Sequence, residues 1–202
     1  MNLPTEEECM QYFEEYKVPK NIQGHCILVR DVAVFLANKL KENGVEINSE
    51  LVDRAALLHD LFKVVDIKEL INNPYHVYTP SKEEIEMWQY LRQTYSGKHE
   101  DEVFEIVFGK QFPELTKLIV ESGELNNSNK SLIARTIRYA DSRVLRNKLV
   151  SRKERAEYLF VVYPDRKEII LNESKILDLD EKEIFAHLDF TPEQLAERMK
   201  HE

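Results

Sequence analysis

Apolar residues recur along most of the chain at spacings of three and four, the period of an amphipathic helix. No stretch alternates apolar and polar residues as a half-buried strand would. The pattern predicts helices over 5–16, 20–42, 49–65, 81–95, 99–108, 114–122, 129–149, 151–162 and 191–200, with shorter turns over 66–73 and 181–188. Start signals agree with this reading. Thr5 with Glu8, Ser81 with Glu84, Ser151 with Glu154 and Thr191 with Gln194 have capping-box spacing, and Pro192 stands where a first-turn proline belongs. INNPYHVYTPS at 71–81 reads as the clearest long loop, because Asn-Asn-Pro and Thr-Pro both oppose helix continuation. With 5 glycines and 7 prolines in 202 residues to interrupt the helices, the expected fold class is all-α.

Composition narrows the class further. At 43% hydrophobic and 32% charged, the chain is too apolar to stay disordered, and its length suits one domain with a terminal extension. The 37 acidic against 28 basic residues give a net charge of -9, which argues against nucleic acid and anionic membranes as general partners. Eight basic residues between Arg135 and Arg155 reverse that sign locally, but on a helical wheel they mostly describe a solvated face. Cys9 and Cys26 form no CxxC pair, the acidic start MNLPTEEECMQYFEEY lacks a signal-peptide core, and no run approaches a membrane span. A cytoplasmic protein is the expectation.

Three polar anomalies carry the chemistry. His25 shares a helix face with Leu28, Val29, Val32, Leu36 and Leu40, so it faces inward. In RAALLHDLFK, His59 lies at the edge of the stripe of Val52, Ala55 and Phe62, with Asp60 turned about 100° further on an ideal helix and Lys63 between them. Asp141 sits at the margin of the face made by Ile133, Ile137, Ala140 and Val144. Each has an ordinary explanation: a core histidine bonded to a carbonyl, an Asp60–Lys63 surface pair, or a salt bridge from Asp141 to a nearby arginine. Three helices that each turn a metal-capable side chain inward point instead to a joint metal site. Two imidazoles and two carboxylates suit Mn²⁺, Fe²⁺, Co²⁺, Ni²⁺ or Zn²⁺ and leave positions for water and substrate.

These residues resemble the HD superfamily of metal-dependent phosphohydrolases, whose pattern is a helical His, a later His-Asp pair and a distant Asp: here His25, His59-Asp60 and Asp141. The segments VPKNIQGHCILVRDVAVFLA, LVDRAALLHDLFK and IRYADSRV carry the likeness, which covers about residues 18–150. The resemblance implies a compact HD-domain helical bundle over 18–150, preceded by an N-terminal helix (1–17) packed on it and followed by a helical extension (151–202) of the same domain. It also implies one divalent metal ion, with Mg²⁺ added to the ions above, and catalytic roles for Asp60, Lys63 and His99. HDLFK resembles the HDIGK variant, so Lys63 would contact a substrate phosphate. Binuclear relatives carry two further histidines. His99 fits the first position, but LIVESGEL stands where the second is expected, which favours one metal and frees His99 as a proton donor or phosphate contact. His76, in the long loop, is a weaker candidate for that work.

The function implied is release of phosphate from a small phosphorylated metabolite, a nucleotide foremost. The competing expectation is a regulatory HD module that binds metal and nucleotide without turnover; an oxygenase with paired irons ranks third. The C-terminal extension leaves room for a homodimer contact. No GxGxxG, GxxxxGK[ST] or GxSxG motif supports a dinucleotide fold, a P-loop or a serine hydrolase. Cys26 reads as a small packing residue rather than a nucleophile.

Overall fold

Ten α-helices and one short hairpin make up the described residues, 1–67, 78–124 and 130–201, of the computed structural model. His76 and most of the 71–81 loop lie outside them. Helix α1 (Glu6–Glu15) starts from the Thr5–Glu8 capping box and buries Cys9 and Phe13. Helix α2 (Lys20–Glu42) is the central rod. Its stripe of Ile22, Cys26, Val29, Val32, Ala33, Leu36 and Leu40 is buried against α3 (Ser49–Leu58) and α7 (Leu132–Ser142). Helices α4 (Lys82–Thr94), α5 (Glu100–Phe108) and α6 (Pro113–Gly123) complete the bundle, with α6 packed on α5, α3 and α7. The all-α class is therefore the fold observed. Among the described residues no helix is long and apolar enough to cross a membrane.

Three departures from the predicted elements matter for the site. The helix expected over 49–65 ends at Leu58, and bonds of the tighter i→i−3 kind take over, Leu61 N to Leu58 O (3.1 Å) and Lys63 N to Asp60 O (3.0 Å), leading into a 3-10 turn at Lys63–Val65. The His-Asp pair thus sits at a helix end, where neighbouring side chains are released from the angular spacing of a continuing helix. Phe62 anchors the turn in an aromatic cluster with Tyr16, Phe104 and Phe108.

The helix expected over 129–149 stops at Ser142 and gives way to a hairpin of β1 (Val144–Leu145) and β2 (Lys148–Leu149), antiparallel with Val144 opposite Leu149. Arg143 closes it: its carbonyl accepts from Val150 N at 2.7 Å while its Nε donates to Val150 O at 2.7 Å. Local propensity gave no warning, because tertiary and side-chain bonds decide this break.

Beyond α8 (Arg152–Val162), residues expected to hold only a turn over 181–188 form α9 (Lys167–Phe185), followed by the short α10 (Leu195–Arg198). The inward stripe of α9 runs through Ile170, Asp180 and Ile184, and the aspartate in it disguised the apolar period. Asp180 is fully buried. It accepts from Arg135 Nη1 and Arg138 Nε, each at 2.8 Å, so α7 and α9 are joined through one carboxylate and two guanidinium groups. Arg143 and Arg152 are also engaged internally, with Pro192 O at 3.2 Å and Ser174 O at 2.9 Å respectively. Much of the basic run is therefore turned toward acidic and carbonyl partners rather than toward solvent.

Removing one member of a buried ion cluster leaves the others uncompensated, so Asp180→Ala is expected to lower the unfolding free energy by about 3–5 kcal/mol, read from denaturant midpoints. Lys130 supplies a pH-dependent test. It is buried, and desolvation together with Arg138 pushes its ammonium down to about 8. A lysine depressed in the fold binds fewer protons than in the unfolded chain between that value and its ordinary one, so its contribution to stability rises with pH. The stability difference between wild type and Lys130→Met should move in favour of wild type from pH 8 to about 10.5.

Candidate metal centre

The four residues singled out as ligands meet at one place. His25 comes from the buried side of α2, His59 and Asp60 follow the last turn of α3, and Asp141 is the next-to-last residue of α7. His25 Nε2 lies 2.9 Å from Asp141 Oδ1 and 3.8 Å from Asp60 Oδ2, and His59 Nε2 lies 3.7 Å from the same Asp60 oxygen. The imidazole rings are 5.5 Å apart. Donor atoms of His25, His59 and Asp60 all fall within 4.8 Å of one another. Asp141, with its side chain 40% exposed against 14% for Asp60, opens the cluster to solvent.

The orientation of His59 is informative. Its Nδ1 lies 2.8 Å from the carbonyl of Ala56, which can only accept, so Nδ1 is the protonated nitrogen and Nε2 carries the lone pair. Nε2 is buried with no hydrogen-bond partner among the described residues and faces a carboxylate oxygen. An unsatisfied buried acceptor costs about 1–3 kcal/mol, and an acceptor facing an acceptor calls for a cation between them. A divalent ion fits this donor set, with the Ala56 carbonyl fixing the ring that would hold it.

Electrostatics explains how the acids stay charged. Burial acts to raise Asp60, but opposing charge, foremost the Lys63 ammonium, outweighs it and holds the carboxyl below its ordinary value. Burial is outweighed at Asp141 too, where the hydrogen bond and charge of His25, with Arg155 behind them, depress the carboxyl strongly. Lys63 Nζ stands 3.3 Å from Asp60 Oδ1 and 2.7 Å from Glu100 Oε1. Although desolvation would lower its ammonium, these two carboxylates drive it well above its ordinary value. Desolvation pushes Glu100 upward, against the sense expected of a paired carboxylate. With an ammonium 2.7 Å away, the ionised pair is the state the contact favours.

His99 does not join the four. Its side chain is 58% exposed, with Nε2 3.4 Å from Asp66 Oδ2 and Nδ1 3.4 Å from Asp101 Oδ2. Between it and the centre stands Glu100, a residue that the sequence reading passed over. Glu100 is buried, and its Oε2 has no hydrogen-bond partner among the described residues. A signal existed: Glu100 heads the stripe Val103, Phe104 and Phe108, so a helix starting there turns it inward. The missing second histidine also has a spatial counterpart. Gly123, in the segment where it was expected, lies against the Asp101 carboxylate so closely that a Cβ there would collide with it. Cys26, beside His25, is fully buried, and desolvation pushes its thiol well above its ordinary value, in keeping with a packing role.

A family model described as HD domain matches residues 22–144, a span that includes His25, His59, Asp60, Lys63, Glu100 and Asp141 and stops short of α8. No curated protein and no solved structure matches the chain. With more than half its length in that match, and with the clustered His, His-Asp and Asp, the chain belongs to the HD domain family, whose members bind divalent metals and are in general metal-dependent hydrolases.

Proposed function

We propose that this chain is a phosphohydrolase that releases phosphate from a small phosphorylated metabolite, a nucleotide foremost, at the centre formed by His25, His59, Asp60 and Asp141. The observation that carries the reading is the lone pair of His59 Nε2, buried and unpartnered beside a carboxylate, with the Lys63 ammonium on that carboxylate's other oxygen. Two imidazole nitrogens and two carboxylates would hold one divalent ion, which supplies Lewis acidity at a phosphoryl oxygen and acidifies water.

The chain's own groups do the rest. Asp60, kept ionised, can orient an attacking water and accept a hydrogen bond from it through the oxygen that faces His25 and His59. Lys63 is held cationic by Asp60 and Glu100 and offsets negative charge as it grows on the phosphoryl group. Glu100 positions Lys63. His99, on the exposed side of Glu100, is suited to protonate a leaving oxygen that extends in that direction. A second reading, nucleotide binding without turnover, draws on the same contacts: Lys63 is engaged by two carboxylates, and His99 lies outside the cluster.

Elemental analysis paired with phosphate release tests the proposal. Wild type is expected to carry about one divalent ion per chain and to release phosphate from members of a nucleotide panel. His59→Ala and Asp60→Ala are each expected to lose the ion, with activity down by at least about 10²-fold. Absence of bound metal together with no release in added Mn²⁺, Co²⁺ or Ni²⁺ would overturn it, and tight nucleotide binding with intact ligand recovered would select the second reading. Lys63→Met should keep the metal and lower kcat by roughly 10²-fold, as loss of one transition-state contact does.

A further inference from the structure

The hairpin between α7 and α8 stands beside the centre. A Cβ on Gly24, the neighbour of His25, would come within 2.8 Å of Asn147 Oδ1, so the hairpin tip rests on α2 next to a candidate ligand. Because Leu145 pairs with Lys148, the tip consists of Arg146 and Asn147 alone. Arg146 has φ 58°, a left-handed conformation that two-residue hairpin tips ordinarily give to glycine, or to asparagine. A large charged side chain at such a position goes against local preference, and backbone outliers of this kind concentrate where a site requires them.

The side chain of Arg146 lies over the ring of Tyr158 on α8, 6.0 Å from its centroid. Arg155, one turn earlier, shares with Tyr158 the face of α8 that Arg146 lies against. Arg155 is partly buried, and among the described residues its guanidinium makes no hydrogen bond or ion pair, whereas Arg152, one turn earlier, is engaged by Asp178 and Glu181. The charge of Arg155 also bears on the Asp141 carboxyl, which agrees with this placement. Lys63 occupies the opposite, Asp60, end of the cluster.

From this arrangement we infer that Arg146 and Arg155 form a second anion subsite, which receives a phosphoryl group adjacent to the one held at the metal centre, so that the substrate class is a nucleoside diphosphate or another compound with linked phosphates rather than a monophosphate. The inference rests on the reading of the centre as a phosphate-handling site. It extends that reading to residues beyond the HD-domain match, since Arg146 and Arg155 both follow residue 144. Arginine suits the task because its fork of donors stays charged and can grip a phosphate through two parallel bonds.

The test uses the metal-loaded full chain and two hydrolysis-resistant probes, adenosine 5′-(α,β-methylene)diphosphate and adenosine 5′-methylenephosphonate, titrated calorimetrically. Wild type should bind the diphosphate analogue more tightly. Arg155→Ala and Arg146→Gly should each weaken it by about tenfold and shift the monophosphonate by less than about twofold, as expected for loss of one charged hydrogen-bonding group. Glycine accepts the backbone of position 146, so the melting temperature of Arg146→Gly serves as a folding control and should not fall. Equal binding of both probes by wild type would overturn the inference, as would variants that weaken both probes alike or neither. Phosphate release is scored separately: a wild type that shows the arginine-dependent preference but releases no phosphate retains the subsite and loses the hydrolase reading.

Discussion

A carboxylate kept ionised inside the protein is the constraint on which the centre depends. Asp60 is largely withdrawn from water, and an isolated charge there would be heavily disfavoured. Lys63 compensates it on one oxygen, while the other oxygen faces the two imidazoles, where a bound cation would complete the compensation. Lys63 is in turn balanced by Glu100, so the charge arrangement extends from α3 to the first residue of α5. The end of α3 at Leu58 and the seating of Phe62 among aromatic rings hold this segment in place. What the arrangement leaves unsatisfied is the His59 lone pair, and that residual demand marks the centre as one built for a cation.

A second charge cluster secures the helix that delivers Asp141. Asp180 on α9 ties down Arg135 and Arg138 of α7, a few residues before Asp141 on the same helix. The C-terminal helices are thereby joined to the site-bearing helix rather than hanging from it. The same region carries α8, in which no residue is fully buried, along with the hairpin that touches α2 at Gly24. The candidate ligand Asp141 and the C-terminal helices thus share one structural support, α7.

The elements with simple periodicity were legible in advance. Helix α2 runs over the span predicted from its stripe, and four capping boxes lie where their sequence spacing places them. His25, His59-Asp60 and Asp141 stood out because metal-capable side chains interrupted apolar faces. Helix α9 escaped notice because a buried aspartate broke its stripe, and the end of α7 because no local signal separates a helix from a hairpin closed by Arg143. Glu100 was readable from the stripe it heads, but an acidic residue in a first helical turn has an ordinary explanation in the helix dipole.

By itself, then, the sequence determined the all-helical class, the main helices of the bundle and the identity of the four candidate ligands, since these follow from local spacing and from the cost of placing polar groups on apolar faces. Only the tertiary structure decided that His59 Nε2 is left unpartnered among the described residues, that Glu100 rather than His99 engages Lys63, and that the hairpin after α7 rests on α2 beside His25. Those outcomes depend on contacts between residues distant in the chain, Lys63 with Glu100, Asp180 with two arginines, Asn147 with Gly24. Charge pairing and close packing across such separations leave no periodic trace in the residues that make them.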